Sequence, residues 1–408
     1  MLPPATDPVP APFTFESCCR GVSCRPGVPT PRSLPALPTF LALALLGMAC
    51  SRPPAPPRPY LAFVANQGSN TVAVVNLESF RVTASIAVAP EPIEVAPRPG
   101  SRELYAVSRS GTVSVIREPD LRVQATLSIG PGASSLVFAP GGEAAAVIEG
   151  MRGEVVFINC RSSAVEGRVR AGGSLSALAY LPDAKTVVAA DQSGNRLIFI
   201  DTKARRILSE LQVGEAPGPM VVRSDVNGGK VFVADTGESK VSVVDASTRQ
   251  LLSNLEIGSK PSGLVLKPDG GEVFALSHDS ATLTILDAFH EEVEQEMSTG
   301  RGPAAAVASG DSTRLYIANA GDGSVEALDV QNRAVLASTH SGATPSALAL
   351  TPDERFLVVA DPEGSSLAVL GTAPFNTEST ISGSPLPLVT TIAVGARPVD
   401  VAVPNWLR

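Results

Sequence analysis

A unit of about 42 residues is repeated along most of this chain, and this period limits the folds available to it. The segment at 258–287, GSKPSGLVLKPDGGEVFALSHDSATLTILD, matches the segments at 300–329 and 342–371 position by position. The eight units open at Ala89, Gly130, Gly172, Gly214, Gly258, Gly300, Gly342 and Gly395, and six of them have a proline three residues later. Repeats of this length are typical of solenoids and propellers, in which one small structural unit is copied.

Each unit contains four short strand patterns. The first strand is built from small apolar residues, as in SGLVLK at 262–267, and a turn such as Pro268-Asp269-Gly270 follows it. The second strand is richer in β-branched and aromatic residues, as in VFVAD at 231–235, and a third and a fourth strand lead to the next unit. Four short strands per unit predict an all-β chain that forms a single β-propeller of four-stranded antiparallel blades.

The units resemble the YVTN-type β-propeller repeat, in which LYVAN-like second strands precede a segment that ends in an aspartate. The matching pieces here are LYIAN at 315–319 and VFVAD at 231–235, and the resemblance covers residues 59–403. It implies an exported or surface-layer-like propeller protein. The Gly-His and Trp-Asp signatures of WD40 repeats are missing from the sequence.

The number of blades follows from counting strands of one type. Second strands number eight, and so do first strands, but the last first strand lies near the end of the sequence, at PVDVAV from Pro398. We therefore expect eight blades, with residues 398–403 completing the first blade as its innermost strand beside residues 61–66. Seven blades remain the alternative, because the third unit is irregular and the eighth carries an insertion at 372–385.

The N-terminal region has the pattern of an export signal. The apolar run FLALALLGMA at 40–49 is shorter than the about 20 residues that span a bilayer and has the length of a signal-peptide core. The sequence LLGMAC resembles a bacterial lipobox, which makes Cys50 a candidate for lipidation, although Gly47 stands where that pattern usually has an aliphatic residue. The predicted organisation is a targeting segment at 1–49 with an uncertain start, a Pro-rich tether at 50–58, the propeller at 59–403 and a tail at 404–408. We expect localisation in the bacterial cell envelope, in the periplasm or at the cell surface, and ordinary secretion without a lipid is the alternative.

Composition and motifs argue against several classes of function. The net charge of −8 argues against nucleic acid as a partner, because binding to phosphates depends on clustered Lys and Arg. No two of the three histidines have ligand spacing, and the sequence lacks CxxCH, G-x-S-x-G and phosphate-loop motifs. We therefore expect no cofactor, no metal and no catalytic residues. The partner expected instead is an unidentified protein or envelope component, bound by a monomeric propeller with a lipid anchor to the membrane.

Two sets of polar residues recur with the period of the repeat. One set ends the second strands, and we predict that it circles the mouth of the central channel, where four acids would form a negative funnel for a ligand or partner. Its members are Asn66, Ser108, Glu149, Asp191, Asp235, Ser277, Asn319 and Asp361. The other set ends the third strands and is predicted to cap turns through its side-chain oxygens. Its members are Asn76, Asp201, Asp245, Asp287 and Asp329.

Three functions are compatible with these patterns. The favoured hypothesis is a non-catalytic binding or scaffold protein. A lactonase-like hydrolase is the second, and it would require Glu149, Asp191 and Asp235 to point into the channel. A structural surface-layer component is the third.

Overall fold

The computed structural model describes residues 60–225, 228–372 and 386–406, and in these residues 32 strands form eight sheets of four strands each. The targeting segment, Cys50 and the tether lie outside the described residues, as does most of the insertion at 372–385.

Each blade is an antiparallel meander whose four strands follow one another from the channel outwards. Blade 1 contains β32 (Pro398–Ala402), β1 (Leu61–Asn66), β2 (Thr71–Asn76) and β3 (Arg81–Ala87). Blade 2 contains β4 (Pro92–Pro97), β5 (Glu103–Ser108), β6 (Thr112–Arg117) and β7 (Arg122–Ser128). Blade 3 contains β8 (Ala133–Phe138), β9 (Ala144–Glu149), β10 (Glu154–Asn159) and β11 (Ala164–Arg170). Blade 4 contains β12 (Leu175–Tyr180), β13 (Thr186–Asp191), β14 (Arg196–Asp201) and β15 (Arg206–Gln212).

The remaining four blades repeat this order. Blade 5 contains β16 (Pro217–Arg223), β17 (Lys230–Asp235), β18 (Lys240–Asp245) and β19 (Gln250–Glu256). Blade 6 contains β20 (Pro261–Leu266), β21 (Glu272–Ser277), β22 (Thr282–Asp287) and β23 (Glu292–Ser298). Blade 7 contains β24 (Pro303–Ala308), β25 (Arg314–Asn319), β26 (Ser324–Asp329) and β27 (Ala334–His340). Blade 8 contains β28 (Ala347–Leu350), β29 (Phe356–Asp361), β30 (Ser366–Gly371) and β31 (Leu388–Ala393).

The first strands of the eight units surround the central channel. Each of them contacts the first strand of the next blade, in the closed series β4, β8, β12, β16, β20, β24, β28, β32 and back to β4. The predicted fold class and the count of eight blades are therefore confirmed, and the alternative of seven is wrong. The irregular third unit forms a regular blade, because its second strand AAAVIE pairs in register with β10 from Ala144 to Glu149.

The ring closes through the strand contributed by the C-terminal part of the sequence, as predicted. β32 pairs antiparallel with β1, with Val401 opposite Val64 and Asp400 opposite Ala65. Beyond this strand, the ring of Trp406 packs on Phe63 with ring centroids 5.3 Å apart. Closure removes the free strand edge that an open array would present to other chains.

The core lies between blades and consists of eight apolar clusters. Each cluster joins the facing surfaces of two neighbouring blades; for example, Tyr105 and Val107 of blade 2 pack with Val147 and Val156 of blade 3. The second and third strands are buried on both faces, which explains why they are nearly continuous apolar runs. Small Ala and Val side chains serve here because flat blades pack closely with little room between them.

Candidate functional site

The polar residues that end the second strands form a buried ring. None of the eight is more than 3% exposed. Each lies beside the residue that opens its own unit, so that the two recurring features of the repeat are in contact: a Cβ added to Gly172 would lie 2.6 Å from Asp191 Cγ, and one added to Gly342 would lie 2.7 Å from Asp361 Cγ. Glycine leaves room for the polar side chain in seven of the eight units, whereas Ala89 lies beside the small Ser108, whose Oγ donates to the Ala89 carbonyl at 2.9 Å.

Hydrogen bonds hold these buried side chains to the neighbouring loops. Asp361 accepts bonds of 3.0 Å from the amides of Ala343 and Thr344, and Glu149 accepts one of 2.7 Å from the amide of Arg152. Asn66 donates to Thr71 Oγ1 at 3.3 Å. The bonds to Asp361 connect a blade-to-blade loop with a strand end, whereas those of Glu149 and Asn66 stay within the loop between the second and third strands. Glu149 Oε1 and Asn66 Oδ1 are buried without a hydrogen-bond partner in the described structure.

Asn319 and the two remaining acids of the ring make similar local contacts. Asn319 Nδ2 donates to Ser324 Oγ at 3.1 Å. Burial alone would raise the pKa of Asp191, but bonds from Ser193 Oγ and the Ser174 amide and the neighbouring Arg196 hold that pKa below its usual value.

Asp235 differs from Asp191 because it lacks an adjacent arginine. Burial raises the pKa of Asp235 to about 6, against a bond from Ser242 Oγ at 2.7 Å. The four acids of the predicted negative funnel are at most 3% exposed to solvent.

The residues that end the third strands accept hydrogen bonds from the turns that follow. Asn76 Oδ1 accepts from the amides of residues 78 and 79 at 2.8 and 2.9 Å, and Asp201 Oδ1 from those of residues 203 and 204 at 2.9 and 2.6 Å. Asp245 and Asp287 bond the equivalent amides, and Asp329 bonds the amide of residue 332. These side chains shape the outer turns of the blades.

The central channel contains two carboxyl groups that the sequence reasoning did not select. Two residues after the proline position of the first strand, most blades carry a residue that cannot ionise. The eight equivalent residues are Glu94, Ser135, Ala177, Pro219, Gly263, Ala305, Ala347 and Asp400. Glu94 and Asp400 lie in adjacent blades, on β4 and β32, and a register shift in the pairing of each strand falls just before them. Such bulges redirect side chains.

Both carboxyl groups bond to the backbone of the next blade. The Val95 amide donates to Asp400 Oδ2 at 2.8 Å, and the Leu136 amide donates to Glu94 Oε2 at 3.0 Å. Ser135 continues the series, since its Oγ accepts from the Leu178 amide at 3.2 Å. Three side-chain contacts of the same type therefore join four successive blades, 1 to 4, around the channel.

The pKa values of both carboxyl groups are raised. Burial raises the pKa of Glu94 to about 8; the bond from Leu136 opposes this rise and the nearby Asp400 adds to it. Burial also raises the pKa of Asp400 to about 6, against the bonds from the Val95 and Val401 amides. At pH 7 the pair therefore carries roughly one negative charge, and a change in its surroundings can move a proton.

A cavity of about 410 Å³ adjoins this pair. It is lined by the first strands of blades 7, 8, 1 and 2, through Ile93, Glu94, Ala305, Ala306, Ser346, Ala347, Leu348, Val399 and Asp400. Its volume lies within the range of small-molecule sites, about 300–1,000 Å³. The lining combines the carboxyls of Glu94 and Asp400 and the hydroxyl residue Ser346 with apolar side chains, and polar atoms supply the larger share of its exposed surface.

Other features sought in the sequence lie away from this cavity. Among the described residues, no three His, Cys, Asp or Glu side chains form a group that could hold a metal ion. His278 and His290 are exposed and bond to neighbouring aspartates. Within the described parts of the chain, no helix is long and apolar enough to cross a membrane.

Comparison with known proteins supports the architecture. No protein-family model matches the sequence, and no curated protein matches it. The structure is similar to that of the dihydro-heme d1 dehydrogenase NirN in complex with DHE, with a TM-score of 0.72 and 16% sequence identity over 85% of this chain and 77% of that one. It is also similar to a functionally unknown protein from Desulfotomaculum acetoxidans DSM 771, with a TM-score of 0.54 and 13% identity over 84% and 98% of the two chains. The chain is an eight-bladed β-propeller, and at these identities the similarity extends to the fold alone.

Proposed function

We propose that this chain is an exported propeller of the YVTN-repeat type that binds an envelope component in its central channel without catalysing a reaction. The observation that carries the proposal is the cavity of about 410 Å³ between the first strands of four blades, with Glu94 and Asp400 in its wall. A concave site with apolar walls and a few convergent polar groups is the usual form of a ligand site. The bound component presents a group small enough to enter the channel.

Export and anchoring rest on the sequence. The apolar run at 40–49 precedes Cys50, and the Pro-rich segment after it suits an extended tether that would hold the propeller away from a membrane. Metabolic labelling with a fatty acid should mark the wild-type protein and leave a Cys50→Ser variant unlabelled. Equal labelling of the two proteins would contradict the hypothesis that Cys50 is lipidated.

The binding role is tested by filling the channel. Ala347→Phe places an aromatic ring in the wall of the cavity, whereas Leu252→Phe, a matched control, alters an exposed position on the outer strand of blade 5. Purified proteins are incubated with an envelope extract, and the retained small molecules and proteins are compared by mass spectrometry. Saturable retention by the wild type and the control, but not by the filled variant, is the expected result. Equal retention by all three proteins would refute a channel site.

A hydrolase is a second candidate, because the two carboxyl groups of the pair have different pKa values. Paired carboxyls whose surroundings separate their pKa values can divide the roles of general acid and base. Assays with simple sugar lactones, comparing wild type with Glu94→Gln and Asp400→Asn, test this alternative. Hydrolysis that falls at least about a hundredfold in both variants would favour an enzyme, and no turnover above background in the wild type would favour binding alone.

A further inference from the structure

The carboxyl pair has acceptor capacity directed at the cavity. The Leu136 amide uses Oε2 of Glu94, and Oε1 has no hydrogen-bond partner among the described residues. Both side chains are half-buried in the channel wall and line the same cavity. An ionised carboxylate accepts hydrogen bonds through both oxygens, so a donor that entered the cavity would find a free acceptor on Glu94.

A third polar group of the cavity is also unsatisfied. The hydroxyl oxygen of Ser346 is buried and has no hydrogen-bond partner in the described structure, and Ser346 lines the cavity beside Ala347. A buried hydroxyl without a partner costs stability, so its presence needs an explanation. The Oγ atom is not exposed to the cavity in this conformation, so a ligand would supply such a bond only after the Ser346 side chain rotates.

The composition of the wall distinguishes between kinds of cation. Calcium takes six to eight oxygen ligands, whereas the side chains that line the cavity offer two carboxyls and one hydroxyl. Apolar side chains such as those of Ala305, Leu348 and Val399 supply the hydrocarbon part of the wall, which is smaller than its polar part. An alkylammonium group matches this arrangement, because it has three N–H donors, one positive charge and an apolar stem.

We propose that the channel cavity is a binding site for a primary ammonium group, with the charged nitrogen beside Glu94 and Asp400 and its hydrocarbon stem along the alanine-rich wall. This inference rests on the proposed binding function and names the chemical class of the ligand. The ammonium group belongs either to a free small amine or to a lysine side chain of a partner.

The test uses defined probes with the purified protein. Binding of n-pentylamine, of the neutral isostere 1-pentanol and of Nα-acetyl-lysine N-methylamide is measured by calorimetry and ligand-observed NMR. Glu94→Gln and Asp400→Asn remove charge while keeping an oxygen that can accept from the Leu136 and Val95 amides. Ser135→Ala is the matched control, because it removes the equivalent interblade bond outside the cavity lining.

Proton release provides a readout that a purely structural role would not give. A cation placed beside Glu94 favours its ionised form, so amine binding at pH 7 should displace a proton into the buffer. The binding heat should then differ between phosphate and Tris buffers by the difference in their ionisation enthalpies. The Glu94→Gln variant should show neither the difference in binding heat between the two buffers nor the release of a proton.

The expected result is saturable binding of an amine probe, no saturable binding of pentanol, and an affinity about 10- to 100-fold weaker in each charge variant but unchanged in Ser135→Ala. Binding of the lysine derivative at least as tight as that of pentylamine would assign the group to a partner's side chain; binding of pentylamine alone would assign it to a free amine. Binding of pentanol as tight as that of pentylamine would overturn the ammonium inference and leave a channel site standing. Absence of amine binding would overturn the ammonium inference. The proposed channel-binding function would be overturned as well only if Ala347→Phe retained the same extract components as the wild type.

Discussion

The carboxylate of Asp400 accepts a hydrogen bond of 2.8 Å from the backbone amide of Val95, a residue 305 positions earlier in the chain. Asp400 lies on β32, the strand that completes blade 1, whereas Val95 lies on the innermost strand of blade 2. The bond therefore joins the closing strand to a blade other than the one that it completes. The same carboxyl lines the channel cavity, so one side chain takes part in ring closure and in the candidate site.

Replacement of Asp400 by alanine should destabilise the propeller. The change removes the bond and leaves the Val95 amide without its acceptor, which costs about 1–3 kcal/mol in the free energy of unfolding. Asp400→Asn keeps an acceptor of the same size and should lose little. Urea unfolding at pH 6 checks both variants, and an identical loss in the two would show that the interblade bond does not contribute.

The raised pKa values of Glu94 and Asp400 should affect how the free energy of unfolding changes with pH. The pKa of Glu94 rises from an ordinary 4.5 to about 8 on folding, and that of Asp400 rises from 3.8 to about 6. The native state then binds more protons than the unfolded state between these values, so this contribution to stability is fully present below about pH 4 and falls as the pH rises towards 8.

Glu94→Gln isolates this effect. Other carboxyls, such as Asp245, have lowered pKa values and act in the opposite sense on acidification, but they are common to both proteins. The difference in melting temperature between Glu94→Gln and wild type should therefore grow in favour of the variant between pH 5 and pH 8. Thermal scans at several pH values provide the measurement, and a constant difference would contradict the raised pKa of Glu94.

The glycines that open seven of the eight units should tolerate no side chain. In Gly172→Ala the new Cβ would lie 2.6 Å from Cγ of Asp191, whose position is fixed by contacts with Arg196 and Ser193. We expect a loss of about 1–3 kcal/mol in the free energy of unfolding. Gly263→Ala is the matched control, because its added methyl meets only Leu276 Cδ1 at 3.5 Å, and its effect should stay within about 1 kcal/mol. Equal losses in denaturant unfolding would show that the contact with Asp191 is not restrictive.

The repeat predicts most of the fold. Prediction of the site requires knowledge of which strand of each blade faces the channel. The spacing of unit-opening residues gave the eight blades, and the surplus strand at Pro398 gave the closure. Asn66 and its seven counterparts repeat regularly. Periodicity alone does not tell whether such a ring of residues faces the channel or is buried on the second strands of the blades. A glycine about 19 residues before six of the eight polar residues, as with Gly172 and Asp191, is the signal for burial that the sequence contains.

Glu94 and Asp400 were overlooked because they break a pattern and do not repeat. An alignment of the first strands shows small, uncharged residues such as Ala177 and Ala305 at the equivalent position. An acid at such a position is informative only once the strand is known to line the channel. The interblade bonds and the shared cavity require coordinates, since they join residues hundreds of positions apart.

The single tryptophan of the chain offers a local probe of ring closure. Trp406 packs on Phe63 of β1, next to the pairing of β1 with β32, so its fluorescence reports whether the closing segment is docked. Detachment of β32 must break both its pairing within blade 1 and the bond from Val95 to Asp400, and it would also expose the apolar side chain of Val401. Because these contacts involve two blades, closure should be lost together with the rest of the ring.

The transition seen by Trp406 fluorescence should therefore coincide with the one seen by far-ultraviolet circular dichroism during urea unfolding. Val401→Ala weakens the packing of the closing strand and should move both transitions to lower urea by the same amount. A fluorescence transition that precedes the loss of circular dichroism, or that alone shifts in Val401→Ala, would mean that the closing strand detaches as a separate unit. In that event β32 could detach while the remaining blades stay folded, and the bond between Val95 and Asp400 would not couple ring closure to the stability of the other blades.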